Sequence, residues 1–277
     1  NGEELQEFRP YEFSVDAAYA RKLSDNFSVG LALRYIHSNL AGNTTLSNGV
    51  QTKPGNAVAG DISVYYTKEN LTWFGQKFDF GVGANIRNIG SKITYTDETE
   101  RNFLPMNLGI GTYFNYHIDE YNEIALLIDF NKLLVPTPPV YDSDSITSDG
   151  DFLILSGQDN DKPVIQGMLQ SFTDAPGGFQ EEMREIMPSI GVEYWYNRQF
   201  ALRAGYFYEH ETKGNRQYLT FGLGVRYSVL GLDLSYLVPT NNDANITSPL
   251  QNTLRITLMI NFNEDSNNKN KPKNADN

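Results

Sequence analysis

A histidine flanked by carboxylates is the arrangement in this chain that best suits catalysis. The segment 208–211, "YEHE", places His210 between Glu209 and Glu211. A histidine beside a carboxylate can serve as a general base, so a surface enzyme that uses His210 is one hypothesis. Nothing else in the sequence forms a recognisable nucleophile site. We therefore expect that the protein is not an enzyme.

The composition of the chain argues against a metal site and against a nucleic-acid partner. The only histidines are His37, His117 and His210, which are scattered along the chain, and there is no cysteine to supply a thiolate ligand. The formal net charge is -12, whereas a nucleic-acid partner favours a basic surface. The sequence predicts no metal, no cofactor and no nucleic-acid partner.

Three Gly-x-Gly pairs superficially suggest nucleotide-binding loops. The glycines are Gly81 and Gly83, Gly109 and Gly111, and Gly222 and Gly224. They lie within predicted strands and no helix follows them, so we interpret them as small residues that make room inside a barrel.

Charged residues recur on one face of the predicted strands. They are Asp16, Arg34, Asp61, Asp79, Arg87, Asp129, Glu193, Arg203, Glu209, Arg226, Asp233 and Arg255. One interpretation is a structural network of ion pairs that lines a wet interior. The other is that unpaired arginines hold an anion such as a peptide carboxylate. The candidate luminal anion site then consists of Arg34, Arg87, Arg203, Arg226 and Arg255.

Eleven segments carry these residues and alternate apolar with polar side chains, which is typical of β-strands. They span 11–23, 27–38, 57–68, 77–89, 105–118, 122–132, 188–197, 200–211, 217–228, 231–239 and 252–262. Their connections alternate between short and long, as in an outer-membrane β-barrel with short periplasmic turns and long extracellular loops. Aromatic residues eight positions apart, such as Phe200 and Tyr208, would lie about 26 Å apart, close to the height of the apolar band of such a barrel.

The last strand has the pattern of a barrel-closing, assembly-signal strand. Its apolar residues are Leu254, Ile256, Leu258, Ile260 and Phe262. The polar segment 263–277 is expected to be disordered in the periplasm. Bacterial barrels have an even number of strands, so we expect residues 1–262 to be the C-terminal part of a larger barrel of about fourteen strands.

The insertion at 133–187 is too long for a loop that serves only to connect two strands. We expect two short helices in it, one near Pro163 that Asp161 caps and one over 179–186. The insertion is interpreted either as a lid on the barrel mouth or as a surface for docking a partner. Its candidate partner-binding residues are Met168, Leu169, Phe172, Pro176, Phe179 and Met183.

Four segments together resemble the PorV family of type IX secretion outer-membrane barrels. They read "VPTPP", "QGMLQSFTDAPGGFQEEMREI", "SIGVEYWYNRQFALRAGYFYEHETKGNRQYLTFGLGVRY" and "LRITLMINF". That family is itself similar to the fourteen-stranded barrels that transport long-chain fatty acids. The resemblance covers nearly the whole chain up to Phe262.

The resemblance implies a multi-pass protein of a Gram-negative outer membrane, in contact with outer-membrane lipid. It implies three protein partners: a giant translocon barrel, the C-terminal domains of secreted cargo proteins, and the surface attachment complex. The main alternative is a transporter of hydrophobic small molecules, by similarity to the fatty-acid barrels. A purely structural scaffold is a further alternative.

Overall fold

The computed structural model describes residues 9–40, 42, 44–45, 49–73, 75–96, 101–147, 152–241 and 252–261. The first strands are β1 (Tyr11–Lys22), β2 (Phe27–Asn39), β3 (Gly55–Trp73), β4 (Gln76–Gly90), β5 (Asn107–His117) and β6 (Asn122–Leu133). A hairpin and two helices follow, namely β7 (Val140–Ile146), β8 (Phe152–Ser156), α1 (Val164–Gln170) and α2 (Phe179–Arg184). The last strands are β9 (Ile186–Tyr196), β10 (Phe200–Tyr208), β11 (Gln217–Tyr227), β12 (Leu230–Pro239) and β13 (Leu254–Ile260), and a 3-10 turn, Glu211–Lys213, separates β10 from β11.

Eleven of the strands form one sheet in the order β1-β2-β3-β4-β5-β6-β9-β10-β11-β12-β13, and β7 and β8 form a sheet of their own. The described pairings within the large sheet are antiparallel. Antiparallel neighbours can be joined directly, without the crossover connection that parallel strands need. The all-β class and the eleven predicted strands are therefore confirmed.

Two local expectations were wrong. The strand predicted over 200–211 ends at Tyr208, because His210 instead caps the 3-10 turn by accepting a hydrogen bond from Thr212 N. The residue before α1 is Pro163, and no side chain caps that helix. Asp161 forms an ion pair with Lys92 at 2.9 Å instead. The two helices expected in the insertion are present as α1 and α2. The β7–β8 hairpin was not expected.

The two helices are short, with seven residues in α1 and six in α2. Within the described ranges, no helix is long and apolar enough to cross a membrane.

The chain divides into two compact units. The first consists of Asn1–Thr67, Gly81–Gly111 and Asp129–Met187, and the second of Lys68–Phe80, Thr112–Ile128 and Pro188–Asn277. In both units the sheet has an apolar face, whose alternate large side chains are exposed, and a polar face that carries the charged residues.

In the first unit, the connection between β4 and β5 packs on β2 and β3. Ile93 and Leu104 from that connection form a buried cluster with Ala57 and Ala59 of β3. Tyr95 donates its hydroxyl hydrogen to the buried Ser38 at 2.9 Å. Small alanines on the strands leave the space that the larger side chains of the connection fill.

Asn88 ties three strands of the first unit together. Its backbone has φ of 61°, a left-handed conformation that asparagine tolerates better than most residues. The Asn88 N–H donates to Asp61 at 2.8 Å, and its side-chain oxygen accepts from Arg34. Arg34 also pairs with Asp16, which lies directly opposite it across the β1–β2 ladder.

In the second unit, glycines on the polar face make room for arginines. A Cβ added to Gly224 would lie 2.7 Å from Asp233 Oδ1 and 2.9 Å from Arg203 Nη1. One added to Gly231 would lie 2.9 Å from Arg226 Cδ. The Gly-x-Gly pair of β11 therefore accommodates large charged side chains, as the sequence predicts.

Replacing Gly224 with alanine tests this accommodation. Because the new Cβ would displace the Arg203–Asp233 ion pair, we expect Gly224→Ala to lower the free energy of unfolding by about 1 kcal/mol or more. Urea titration of the protein in detergent measures this. Gly83→Ala is the matched control on the polar face, since its Cβ would meet Tyr65 at an ordinary 3.4 Å. Equal losses in the two variants would contradict the interpretation.

Candidate functional site

The insertion between β6 and β9 is fastened by a buried lysine. Lys132 Nζ, at the end of β6, lies 3.0 Å from Glu182 Oε2 in α2 and 2.5 Å from Glu185 Oε2. The Lys132 side chain is 9% exposed, and those of the two glutamates are exposed to a similar extent. Buried charges of this kind are retained only when they are paired. The ion pairs therefore hold α2 against the end of β6.

Asp174 and Thr137 extend this polar cluster. Thr137 donates its N–H to Asp174 Oδ2 at 3.1 Å and its hydroxyl hydrogen to Glu185 Oε1 at 2.8 Å. The second carboxylate oxygen of Asp174 is buried without a hydrogen-bond partner in the described part of the chain. Burial raises the pKa of Asp174 above its ordinary value of 3.8, and the negative charges of Glu182 and Glu185 raise it to a smaller extent.

Close backbone packing holds the other parts of the insertion. Gly167 of α1 lies against Phe103 and Pro136, and a Cβ there would lie 2.8 Å from the Phe103 ring. Gly157 has φ of 89°, which favours glycine. Ser156 donates its hydroxyl hydrogen to the carbonyl of Pro176 at 2.8 Å. Contacts from several parts of the chain therefore fix the position of the insertion.

Four of the six predicted partner-binding residues are exposed. Their exposed fractions are 63% for Leu169, 44% for Phe172, 76% for Phe179 and 46% for Met183. Met168 and Pro176 are partly buried, and the Pro176 carbonyl accepts the hydrogen bond from Ser156 within the insertion. We call Leu169, Phe172, Phe179 and Met183 the apolar patch.

Three residues of the apolar patch, Phe172, Phe179 and Met183, line a cavity of about 220 Å³. The wall opposite α2 comes from the apolar face of β5 and β6. The lining residues are Leu108, Ile110, Phe130, Asn131, Lys132, Phe172, Phe179, Glu182, Met183 and Ile186. Because Lys132 and Glu182 are engaged in an ion pair with each other, the cavity offers an occupant mainly hydrocarbon contacts.

Sequence reasoning missed a second group of exposed apolar residues, on the β7–β8 hairpin. Ile146 is 67% exposed and Leu155 is 61% exposed. The run "FLILS" at Phe152–Ser156 is the signal that indicates β8. The hairpin widens the apolar surface that the insertion presents.

Three of the five predicted anion-site arginines are paired with carboxylates. Arg34 pairs with Asp16, and its Nη2 lies 3.4 Å from Asp61 Oδ2. Arg203 and Arg226 share Asp233, each with an N–O distance of 2.8 Å. These three arginines belong to ion-pair networks, which agrees with the structural interpretation of the polar face.

Arg203 and Arg226 are also stacked on a tryptophan. Their guanidinium groups lie 5.3 and 5.4 Å from the Trp195 ring, within the range of a cation–π interaction. Arg203 also pairs with Glu193. This group, with two arginines and two carboxylates, has no net charge and is well suited to join strands.

Arg87 and Arg255 differ from the other three arginines. Arg87 donates to Asn107 Oδ1 at 3.1 Å and to Asn131 Oδ1 at 3.4 Å. Arg255 is exposed on β13. In the ranges that the structure describes, neither arginine pairs with a carboxylate.

His210 and the terminal strand complete the predicted set. His210 Nδ1 contacts Thr212 Oγ1 at 3.0 Å, and neighbouring Glu209 is bound to Arg216 Nε at 2.6 Å. These contacts form a loop structure rather than a nucleophile site.

The apolar face of β13 carries four residues of the predicted assembly signal, and each is at least half exposed: Leu254, Ile256, Leu258 and Ile260. Phe262 and the tail 263–277 lie outside the described residues.

An antiparallel sheet with an exposed apolar face and an ion-paired polar face defines an all-β protein of the outer-membrane barrel class. A family model described as "Type IX secretion system protein PorV" matches residues 2–140, which is 139 of the 277 residues. The chain belongs to the PorV family and is a type IX secretion component of the outer membrane. No curated protein matches the chain. The similarity to fatty-acid transporter barrels stays a prediction.

Replacing Lys132 tests how the insertion is fastened. Lys132→Met leaves Glu182 and Glu185 buried without their cation, and loss of one partner of a buried pair costs about 3–5 kcal/mol. We expect the insertion to open more often and to be cut faster by a protease under native conditions.

Lys162→Met provides the matched control, because Lys162 forms a more exposed pair with Asp159 at 2.6 Å. Such pairs contribute about 0–1 kcal/mol. Similar cleavage rates in Lys132→Met and Lys162→Met would show that the buried pairs do not hold the insertion.

The raised pKa of Asp174 predicts a pH dependence. As pH rises above 3.8, the unfolded state releases this proton while the folded insertion keeps it, so stability falls until the folded pKa is passed. Asp174→Asn keeps an acceptor for Thr137 N–H and removes the titration. We expect the ratio of wild-type to variant cleavage rates within the insertion to increase as pH rises above about 4. A constant ratio would contradict the prediction.

Proposed function

We propose that this protein carries secreted cargo by binding its C-terminal domain on the insertion. The cargo arrives from the giant translocon barrel and leaves for the surface attachment complex. The proposal requires the insertion to lie outside the cell and the apolar face to contact outer-membrane lipid. The main support for this proposal is the apolar patch. It consists of four exposed apolar side chains on a segment that buried ion pairs hold in place.

The fastening supports a binding role because it lowers the cost of association. Side chains on a mobile loop lose conformational freedom on binding, which subtracts from affinity. Here α2 is fixed through Glu182 and Lys132 before any partner arrives. Binding energy at protein interfaces is concentrated in a few central side chains, often aromatic ones. Phe179, which is 76% exposed, has the properties of such a residue.

Exposed apolar surface supports the same role. Contiguous apolar patches on a protein surface mark interaction sites more often than scattered single residues do. Leu169 and Phe179 belong to different helices of the insertion, and the β7–β8 hairpin adds further apolar side chains. A folded domain offers a surface large enough to cover residues from several such elements.

The alternative function is transport of a hydrophobic small molecule. The apolar cavity of about 220 Å³ favours it, although sites for drug-sized ligands usually occupy about 300–1,000 Å³. This function predicts that a radiolabelled fatty acid binds the wild-type protein and that Ile110→Trp, which fills the cavity, abolishes that binding.

Substitution in the apolar patch tests the cargo-binding proposal. We expect Phe179→Ala and Leu169→Ala each to weaken binding of a purified cargo C-terminal domain by about tenfold or more. Biolayer interferometry with the full chain in detergent measures the dissociation constants. Tyr227→Ala is the control, since Tyr227 is 77% exposed but lies at the end of β11. Unchanged binding in both patch variants would disprove the role of the insertion.

A further inference from the structure

The β7–β8 hairpin forms a sheet of two strands within the residues that the structure describes. Its described ladder has four residue pairs, and the register is interrupted on both strands. In that ladder, residues 143–145 of β7 are opposite no residue of β8, and Leu155 of β8 is opposite no residue of β7. A two-stranded hairpin is marginally stable in water, whereas a sheet of three or more strands can be stable by itself. The hairpin therefore gains stability from an added strand.

The C-terminal end of β8 is held by the rest of the insertion. Ser156 donates its hydroxyl hydrogen to the Pro176 carbonyl at 2.8 Å. A Cβ added to the next residue, Gly157, would lie 3.1 Å from Pro176 Cγ and 3.2 Å from the carbonyl oxygen of Asp174. This close packing fixes one end of the strand. A strand that is already held in place loses less conformational freedom when a partner binds.

The remainder of β8 is largely exposed. The exposed fractions are 55% for Phe152, 45% for Leu153 and 61% for Leu155. Since successive side chains of a strand point to opposite faces, apolar residues of β8 are exposed on both faces. Among the described strands, β7 alone pairs with β8. The second edge of β8 therefore presents backbone N–H and C=O groups, and such an edge is a template for another extended chain.

β8 lacks the features that normally protect an exposed edge strand. Its sequence, "FLILS", contains no charged residue, no proline and no glycine. β7 differs, because it is interrupted at 143–145 and carries two aspartates. Asp144 also donates its backbone N–H to Asp142 Oδ1 at 3.0 Å, so that donor is used locally. The edge of β8 is therefore better suited than the edge of β7 to accept a strand.

Backbone geometry and charge together indicate the occupant of this edge. An extended chain repeats N–H and C=O groups at the spacing of the strand edge, which a lipid tail does not. Residues 141–151 carry four aspartates and no lysine or arginine. An added strand would lie two strand spacings, about 9.6 Å, from β7, and at this distance exposed charges are only partly screened. The aspartates therefore favour a strand with basic side chains over one with acidic side chains.

We propose that β8 binds its partner by strand addition, in which the free edge of β8 pairs with an extended basic strand of the cargo C-terminal domain. The inference rests on the proposed function for the identity of the partner, and it specifies how that partner is held. The apolar patch then supplies side-chain contacts, and β8 supplies hydrogen bonds between backbones.

Hydrogen–deuterium exchange tests the pairing directly. The full chain in neutral detergent is measured with and without a purified cargo C-terminal domain, and binding is measured in parallel by biolayer interferometry. We expect backbone amides of residues 152–156 that exchange rapidly in the free chain to exchange at least about tenfold more slowly in the complex, because they become hydrogen-bonded.

The other outcomes of this experiment are distinct. If the domain binds and the amides of 152–156 exchange at an unchanged rate, strand addition is disproved and the proposed function stands. If the domain does not bind, both are disproved. If exchange in the free chain slows as the protein concentration rises, the occupant is a second copy of the chain and the proposal is overturned.

Substitutions at Leu155 separate strand addition from general apolar contact. Leu155→Lys places a positive charge on the edge strand, and we expect it to weaken binding of the cargo domain by about tenfold or more. Ile165→Lys is the matched control, because Ile165 is 55% exposed but lies in α1 rather than at a strand edge. Equal losses in these two variants would overturn the proposal. Leu155→Glu should weaken binding less than Leu155→Lys, and the reverse order would contradict a basic partner strand.

Discussion

Successive side chains of a β-strand point to opposite faces, and this constraint governs the rest of the structure. Because one face of the sheet is devoted to exposed apolar residues, nearly every charge on the strands lies on the other. Those charges must then be balanced by neighbours on the same or an adjacent strand. The register satisfies this requirement directly where Asp16 lies opposite Arg34 and where Glu193 lies opposite Arg203.

Space on the polar face is the second consequence of that constraint. An arginine that bridges strands needs room, and a neighbouring glycine provides it. Gly222 and Gly224 stand beside Arg203, and Gly231 stands beside Arg226. Glycine weakens a strand, since it adds no packing and loses more entropy on folding. The ion pairs and the stacking of both guanidinium groups on Trp195 offset that loss.

The sequence predicted best those features that depend on the residues of one strand alone. Alternation located all eleven strands of the sheet, and it assigned the glycines of β11 to a structural role. It could not show which arginine meets which carboxylate, because that depends on the register of neighbouring strands. The insertion was harder to predict because its structure depends on contacts between separate segments. "VYDSDSI" has few apolar residues, so β7 forms only because β8 pairs with it. In the sequence Lys132 cannot be told from a surface lysine, because only the folded chain brings Glu182 of α2 beside it.

Ion pairing distinguishes the parts of this protein that hold it together from the parts that remain available. Lys132 is paired with Glu182 and Glu185, and Arg203 is paired with Glu193 and Asp233. Such groups have little attraction left for a ligand, since their donors are already used. Arg87 is oriented by amides instead, so it keeps its charge. In a type IX secretion component, a fixed frame with few open groups limits binding to defined places.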